Sequence, residues 1–250
     1  MAQFHVVDTR HMLQGTPGVE IIGDDQQMLH ITLKPGQSCW AEPGCMIHCD
    51  MSVKSIVDAG TGGCFGVIKR VFLAGDSLFR VHWTNTDNTS DKVVGLGANF
   101  PAKVVPVNLD EWHGEVFVKR HAFLAAMDPQ IQFNIERAGR QSGGTISKGA
   151  LAGQGFILNK INGRGWIFLN AAGSILEKTL RADETIVVDR QCVVAWQTTC
   201  QFGFRWVGGI GMMCCGGEGL TDTTLTGPGK VILQSMPFEK TKALYTQPQQ

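Results

Sequence analysis

The chain has 250 residues, 43% of them hydrophobic, and its formal net charge at pH 7 is zero. This balance excludes a disordered polypeptide, and it gives no electrostatic footprint for nucleic acid or an anionic membrane. The 31 glycines are spread along the chain and predict many tight turns between short strands.

The start of the chain, MAQFHVVDTRHMLQG, lacks the basic and apolar regions of a signal peptide. No apolar run reaches the roughly 18 residues that a membrane-spanning helix needs. We therefore expect an intracellular chain, cytoplasmic by its lack of a targeting signal, whose eight cysteines are free thiols.

Period-2 alternation appears first in MLHITL, where Met28, His30 and Thr32 alternate with aliphatic residues. The best candidate for a helix is GVIKRVFLAG, at residues 66–75. Further along, EVFVKRHAFLA and ETIVVDRQCVVAW show the same alternation and are rich in Val, Ile and Phe. These patterns predict an all-β chain with few short helices.

Two landmarks recur three times in the same order. One opens with leucine and a turn, continues as a strand, and passes a polar bend into a second apolar strand. It begins at Leu33, Leu109 and Leu180. The other is glycine-rich and is centred on Gly75, Gly153 and Gly217. Recurrence at a period of roughly 70 to 75 residues predicts three tandem β modules.

Three small modules bury more apolar surface around a shared axis than as separate beads. We therefore predict one compact pseudo-threefold body over residues 1–237, built from repeats at about 18–100, 101–172 and 173–237. Residues 238–250 form a polar C-terminal tail in this prediction.

Three stretches resemble the motifs of a known family. They are LKPGQSCWAEPGCMI, FPAKVVPVNL and CGGEGLTDTTLTGPGKVILQSMP. The family is that of mitochondrial biogenesis, called altered inheritance of mitochondria in fungi, and the resemblance runs from about residue 18 to 237. Cys45 and Thr221 depart from its pattern, which has alanine and phenylalanine there.

This resemblance implies a fold of β-sandwich modules like that of the tryptophan RNA-binding attenuation protein, repeated with pseudo-threefold symmetry. Fungal members are associated with organisation of the mitochondrial inner membrane, so the resemblance favours a mitochondrial location. It brings no enzymatic activity, catalytic residue or cofactor.

The residues themselves point to no metal centre. Cys39, Cys45, His48 and Cys49 lie close together, but a strand through CMIHCD would place His48 and Cys49 on opposite faces. Buried thiols are the favoured interpretation. No two of the seven histidines are spaced as His-x-His, and neither glycine run carries a phosphate-binding motif. We predict no catalytic residues, no cofactor and no metal.

Six tryptophans leave a small-ligand site between modules open as an alternative to core packing: Trp40, Trp83, Trp112, Trp166, Trp196 and Trp206. A metal-dependent β-barrel enzyme is a further, weaker alternative. RNA binding is not expected, because the repeats carry no Lys or Arg rim in phase.

Each predicted module contains an apolar, glycine-rich segment, and a threefold axis would gather the three segments at one end. The resulting candidate surface comprises Phe65, Ile68, Phe72, Ile146, Leu151, Ile210, Met212 and Met213. Such a cluster suits a partner protein, a second copy of the chain or a membrane surface, unless it folds inward. The sequence thus predicts a non-enzymatic binding or scaffold protein.

Overall fold

The computed structural model describes residues 3–9, 12–13, 16–58, 80–128, 130–137, 157–206, 221–240 and 242. Within these ranges the chain forms twenty β-strands in four sheets. Every pairing of adjacent strands in them is antiparallel. The all-β prediction is confirmed.

Eight strands cover the first part of the chain. They are β1 (His5–Val6), β2 (Val19–Ile22), β3 (Met28–Leu33), β4 (Ser38–Ala41), β5 (Met46–Cys49), β6 (Val53–Asp58), β7 (Arg80–Asn85) and β8 (Lys92–Gly97). In β3 the burial alternates strictly, with Leu29, Ile31 and Leu33 facing the core. The alternation predicted for this segment is confirmed.

Six strands and one short 3-10 helix follow. They are β9 (Lys103–Asn108), the helix Leu109–Trp112, β10 (Glu115–Lys119), β11 (Phe123–Ala126), β12 (Gln132–Arg137), β13 (Ile157–Asn162) and β14 (Trp166–Ala171). Strand β11 is buried on both faces, and so is all of β10 except its first residue. Continuous apolar runs rather than alternation are typical of strands covered on two sides. The alternation predicted for EVFVKRHAFLA is therefore wrong in its burial, although the segment does form strands.

The last part of the chain has six strands and a second 3-10 helix. They are β15 (Ile175–Leu180), β16 (Thr185–Val188), the helix Arg190–Cys192, β17 (Val193–Gln197), β18 (Gln201–Trp206), β19 (Thr221–Thr226) and β20 (Gly229–Gln234). One helical turn at 238–240 then lies against the sheets. Its Glu239 carboxylate lies 2.9 Å from the Lys119 ammonium, and its Phe238 ring lies 5.0 Å from that of Phe100. This first part of the predicted tail is therefore packed.

The strand order is regular along the chain. The sheets contain the orders β3-β8-β5, β9-β14-β11 and β15-β20-β17, in which strand numbers rise by six each time. They also contain β4-β7-β6, β10-β13-β12 and β16-β19-β18, with the same increment. This pattern favours the prediction of three modules; the module boundaries and the threefold axis stay predictions.

A β-bulge recurs with the same regularity. The pairing register shifts by one residue in β5, β11 and β17, and the extra residue in each is Ile47, Leu124 or Val194. A bulge re-aims the side chains that follow it. These three strands can therefore be aligned residue by residue.

Two ladders, which we call the closed seams, join the predicted modules side by side. Strand β4 pairs with β11, and β10 pairs with β17. Each of the three buried hydrophobic clusters draws side chains from the second predicted module. One cluster combines them with side chains of the first module, and the other two combine them with side chains of the third. No cluster of described residues unites buried side chains of the first and third.

Candidate functional site

The surface predicted from the glycine-rich segments lies outside the described residues. All eight of its members do so: Phe65, Ile68, Phe72, Ile146, Leu151, Ile210, Met212 and Met213. The predicted helix at 66–75 also lies outside the described residues. The surface and the helix both stay predictions.

The cysteines considered as zinc ligands divide between the core and the surface. Cys39 and Cys45 are buried in the cluster that holds Leu29, and burial raises the pKa of each thiol from 9.0 to about 12. Cys49 is half-buried at the end of β5, which is a strand as predicted. Thiols held protonated in a core are poor metal ligands, since the thiolate is the form that binds.

His48 instead meets another histidine. Glu20, His30, Gly95 and His48 lie in one row across β2, β3, β8 and β5. The two imidazoles lean over Gly95, and their Nε2 atoms lie 2.9 Å apart. A side chain at Gly95 would collide with the His48 ring, so this glycine makes room for the pair.

Two imidazoles supply two metal ligands, one fewer than a facial triad. Throughout the described residues, no group of three or more His, Cys, Asp or Glu side chains is placed to hold a metal ion. The described residues therefore give no support to the alternative of a metal-dependent enzyme.

A small cavity lies where the predicted modules meet the C-terminal turn. Its volume is about 100 Å³, and it is lined by Glu42, Cys45, Asn99, Phe100, His121, Asn170 and Phe238. Pockets that bury small molecules usually measure upward of roughly 300 Å³. This cavity is thus too small to support the ligand-binding alternative.

The tryptophans whose side chains are described pack in the core. Trp83, Trp112 and Trp196 are buried, while Trp40 and Trp166 lie against the buried clusters. The sequence could not separate core packing from ligand pockets, and the structure favours packing for these five.

Strand β5 has a free edge. It pairs with β8 on one side, and among the described strands it has no partner on the other. Its bulge residue, Ile47, lies over Gly97 and is 55% exposed. The corresponding residues Leu124 and Val194 of the closed seams are fully buried. The exposures differ because Leu124 and Val194 are covered at their seams by β4 and β10, whereas no described strand covers Ile47.

Strand β16 is also an edge strand, since it pairs with β19 alone. Its central side chain, Val187, is 44% exposed. In the matching strand β10, Phe117 is buried against Trp196 with the ring centroids 5.6 Å apart. We call the free sides of β5 and β16 the open edges.

Exposed apolar side chains concentrate beside the first open edge. Ten large hydrophobic side chains are exposed among the described residues, and five of them fall within residues 46–57. We call these five the apolar side: Met46, Ile47, Met51, Ile56 and Val57. A concentration of exposed apolar side chains is typical of an interaction site. The sequence analysis did not identify this surface, although residues 46–57 contain six large apolar residues, of which only Val53 is buried.

No helix in the described parts of the chain is long and apolar enough to span a membrane. The described fold and surface thus define an all-β protein of four open sheets with an apolar side.

Comparison with known protein families places the chain in one family. The family model of mitochondrial biogenesis AIM24 matches residues 19–236. The chain belongs to the mitochondrial biogenesis AIM24 family, as the resemblance of its motifs indicated.

Two relatives are bacterial. An uncharacterized protein of Streptococcus pyogenes serotype M6 is 28% identical over 220 residues, covering 85% of this chain and 83% of its own. The X-ray crystal structure of a Streptococcus pyogenes protein superposes with a TM-score of 0.67, at 22% identity and 98% coverage of both chains. The latter likeness supports the fold alone.

Neither the family description nor the relatives' names mention catalysis. The likeness to the tryptophan RNA-binding attenuation protein stays a prediction. Since streptococci have no mitochondria, the fold does not depend on that organelle.

Proposed function

We propose that the protein is a non-enzymatic scaffold that works by binding other protein chains through its apolar side. The observation that carries this proposal is the clustering of half of the exposed large hydrophobic side chains within residues 46–57. Apolar surface next to an unpaired strand edge offers a partner both main-chain hydrogen bonds and side-chain contacts.

The charge balance supports a protein partner over an anionic membrane. The chain is neutral overall, and residues 46–57, which carry the apolar side, contain one lysine, Lys54, and one aspartate, Asp50. Peripheral membrane binding usually adds a basic patch to apolar insertion. A membrane surface remains the second outcome that the experiment below distinguishes.

The biological setting follows from the family. By its description, the family role is mitochondrial biogenesis. For this chain we propose a role in organising a protein assembly. We propose that this assembly is in mitochondria if the host cell has them, and in the cytoplasm if it does not.

Affinity capture of a tagged chain from its own cells tests the proposal. The variant is Ile56→Lys, which places a charge at a 67% exposed site of the apolar side. The matched control is Val6→Lys, at a 75% exposed strand position elsewhere. We expect Ile56→Lys to reduce partner recovery about tenfold, the equivalent of roughly 1.4 kcal/mol, and the control to leave it unchanged.

Flotation with vesicles of phosphatidylcholine and phosphatidylglycerol accompanies the capture. Equal recovery of partners by both variants contradicts the proposal. If capture recovers no specific protein partner and Ile56→Lys abolishes vesicle binding, the apolar side binds a membrane surface instead of a protein. Fractionation of the same lysate gives the location.

A further inference from the structure

Two histidines from strands that do not pair with each other meet on the outer face of the four-stranded sheet. His30 lies in β3 and His48 in β5, on either side of β8. Neighbouring strands are about 4.8 Å apart, so the backbones of β3 and β5 are separated by about twice that distance. The two Nε2 atoms nevertheless lie 2.9 Å apart. The side chains therefore converge on one point above β8.

The strand between the histidines has a glycine at the place where they meet. Gly95 is directly opposite both of them in the two ladders. A Cβ atom at this position would lie 2.6 Å from Cδ2 of His48, closer than side-chain atoms pack. Glycine weakens the interior of a strand and often marks a place where a ligand approaches. An exposed hydrogen bond between imidazoles adds little stability, since water competes for both rings. The glycine therefore favours a role for the pair beyond the stability of the sheet.

The separation of the two nitrogens suits a shared metal ion. Zinc binds imidazole nitrogen at about 2.0 to 2.1 Å. Two nitrogens at that distance from one ion are about 2.9 to 3.4 Å apart, for angles at the metal between 90° and the tetrahedral value. The 2.9 Å between Nε2 of His30 and Nε2 of His48 lies at the lower end of this range. Rotation of the two rings is enough to point both lone pairs at one ion.

The surroundings of the pair favour a cation. Glu20 continues the same row in β2, directly opposite His30, so the row holds one carboxylate and no lysine or arginine. Metal-bound histidine usually donates from its second ring nitrogen to a carboxylate or a carbonyl, and Glu20 stands where a carboxylate suits that role. His48 is exposed and His30 is half-buried, so an ion and its water ligands have access to both nitrogens.

We propose that His30 and His48 together bind one divalent transition-metal ion, zinc or copper, with water in the remaining coordination positions. Imidazole nitrogen suits these ions, whereas Mg²⁺ and Ca²⁺ prefer oxygen ligands. Within the described residues no third His, Cys, Asp or Glu side chain is placed to hold the ion with them. The site is therefore an exposed two-histidine clamp and not a closed structural centre. This inference departs from the sequence prediction of no metal, and it is independent of the proposed function.

The ion would link β5 to the rest of its sheet. Among the described strands β5 pairs only with β8, and this ladder has a bulge at Ile47. A metal ion held by His48 and His30 would join β5 to β3 across β8. Because the folded chain holds both rings together and the unfolded chain does not, the ion binds the folded chain more tightly and stabilises it. Metal binding should therefore raise the thermal stability of the chain.

Zinc titration of the chelator-treated chain, followed by isothermal titration calorimetry, tests the proposal. We expect one ion per chain whose binding depends on both histidines. Zinc at ten times its dissociation constant should raise the unfolding temperature by about 3 to 6 °C, and Mg²⁺ at the same concentration should not. His30→Gln and His48→Gln should each weaken zinc binding at least about tenfold, since each variant lacks one of the two ligands.

Two control variants separate this pair from other zinc ligands. His5→Gln removes a histidine that is exposed in β1. Cys49→Ser removes the thiol that follows His48 and packs against the core cluster. Both controls should bind zinc as tightly as the wild-type chain does.

Three results would overturn the proposal. They are a wild-type chain that binds no zinc, zinc binding that His30→Gln and His48→Gln leave unchanged, and loss of binding in Cys49→Ser, which would assign the zinc to a thiol. Each of them leaves the proposed function standing if partner recovery still depends on Ile56.

Discussion

Phe117 and Val187 hold matching places in β10 and β16, yet Phe117 is 1% exposed and Val187 is 44% exposed. Both are apolar strand residues that face away from their own core. Phe117 has strands on both sides, β13 and β17, whereas Val187 has β19 on one side and no described strand on the other. Burial of such a residue depends on its neighbour across the seam, and the comparison separates strand edges covered within the chain from edges that no described strand covers.

The largest expected effect is at Phe117. Phe117→Ala removes a ring packed on Trp196, and we expect a loss of about 3 to 5 kcal/mol in the free energy of unfolding. Val187→Ala should change it by less than about 0.5 kcal/mol in dilute protein. Urea unfolding measures both. Equal losses would remove the distinction between closed seams and open edges.

The bulge residues give the second comparison. Leu124→Ala should cost about 2 to 5 kcal/mol, since Leu124 is fully buried in a core cluster. Ile47→Ala, at the equivalent place in β5, should cost less than about 1 kcal/mol, because the exposed side chain loses only its contact over Gly97. Thermal unfolding at low protein concentration checks the pair. A larger loss for Ile47→Ala would mean that the chain itself covers this edge.

The C-terminal turn is attached to a closed seam by an ion pair. The Lys119 ammonium, on a side chain that is 9% exposed, lies 2.9 Å from the Glu239 carboxylate and donates to the Gln191 carbonyl at 2.8 Å. Glu239→Ala leaves this charge with less compensation and should cost about 1 to 2 kcal/mol.

The exposed pair of Arg205 and Asp222 provides the control for that ion pair. Asp222→Ala should cost less than about 1 kcal/mol, as surface pairs usually do. If Glu239→Ala costs no more than this control in urea unfolding, the C-terminal turn does not stabilise the seam.

The smallest effect concerns the thiols and appears only at high pH. Burial raises the pKa of Cys39 and Cys45 from 9.0 to about 12, so the folded state retains protons that the unfolded chain releases near pH 9. Stability from these thiols is therefore present below about pH 9 and is lost as pH rises toward 12. At pH 9.5 the loss should be about 1 kcal/mol per thiol.

Urea unfolding across this pH range measures the slope, and Cys39→Ala should reduce it. Maleimide labelling adds a comparison of core and edge, in which half-buried Cys49 reacts before Cys39 and Cys45. A slope unchanged by Cys39→Ala would contradict the account of these thiols.

Local patterns were enough to predict much of the fold. The alternation in MLHITL gave the faces of β3, and valine- and isoleucine-rich runs gave β10 and β16. The family motifs predicted membership. All of these signals lie within a few consecutive residues, where side-chain periodicity is set by backbone geometry.

The open edges could not be predicted in the same way. Ile47 and Leu124 are both aliphatic residues before a strand end, and nothing near them in sequence tells which will be covered. That depends on pairing between strands such as β4 and β11, far apart along the chain. The same limit applies to the His30–His48 pair, which needs β8 and its Gly95 between them.

Affinity capture of the wild-type chain and of Ile56→Lys from their own cells tests the central claim most directly. The account predicts that Ile56→Lys recovers about tenfold less of the partner proteins than the wild-type chain, while Val6→Lys recovers as much as the wild type. Equal recovery by Ile56→Lys and the wild-type chain would contradict the role of the apolar side.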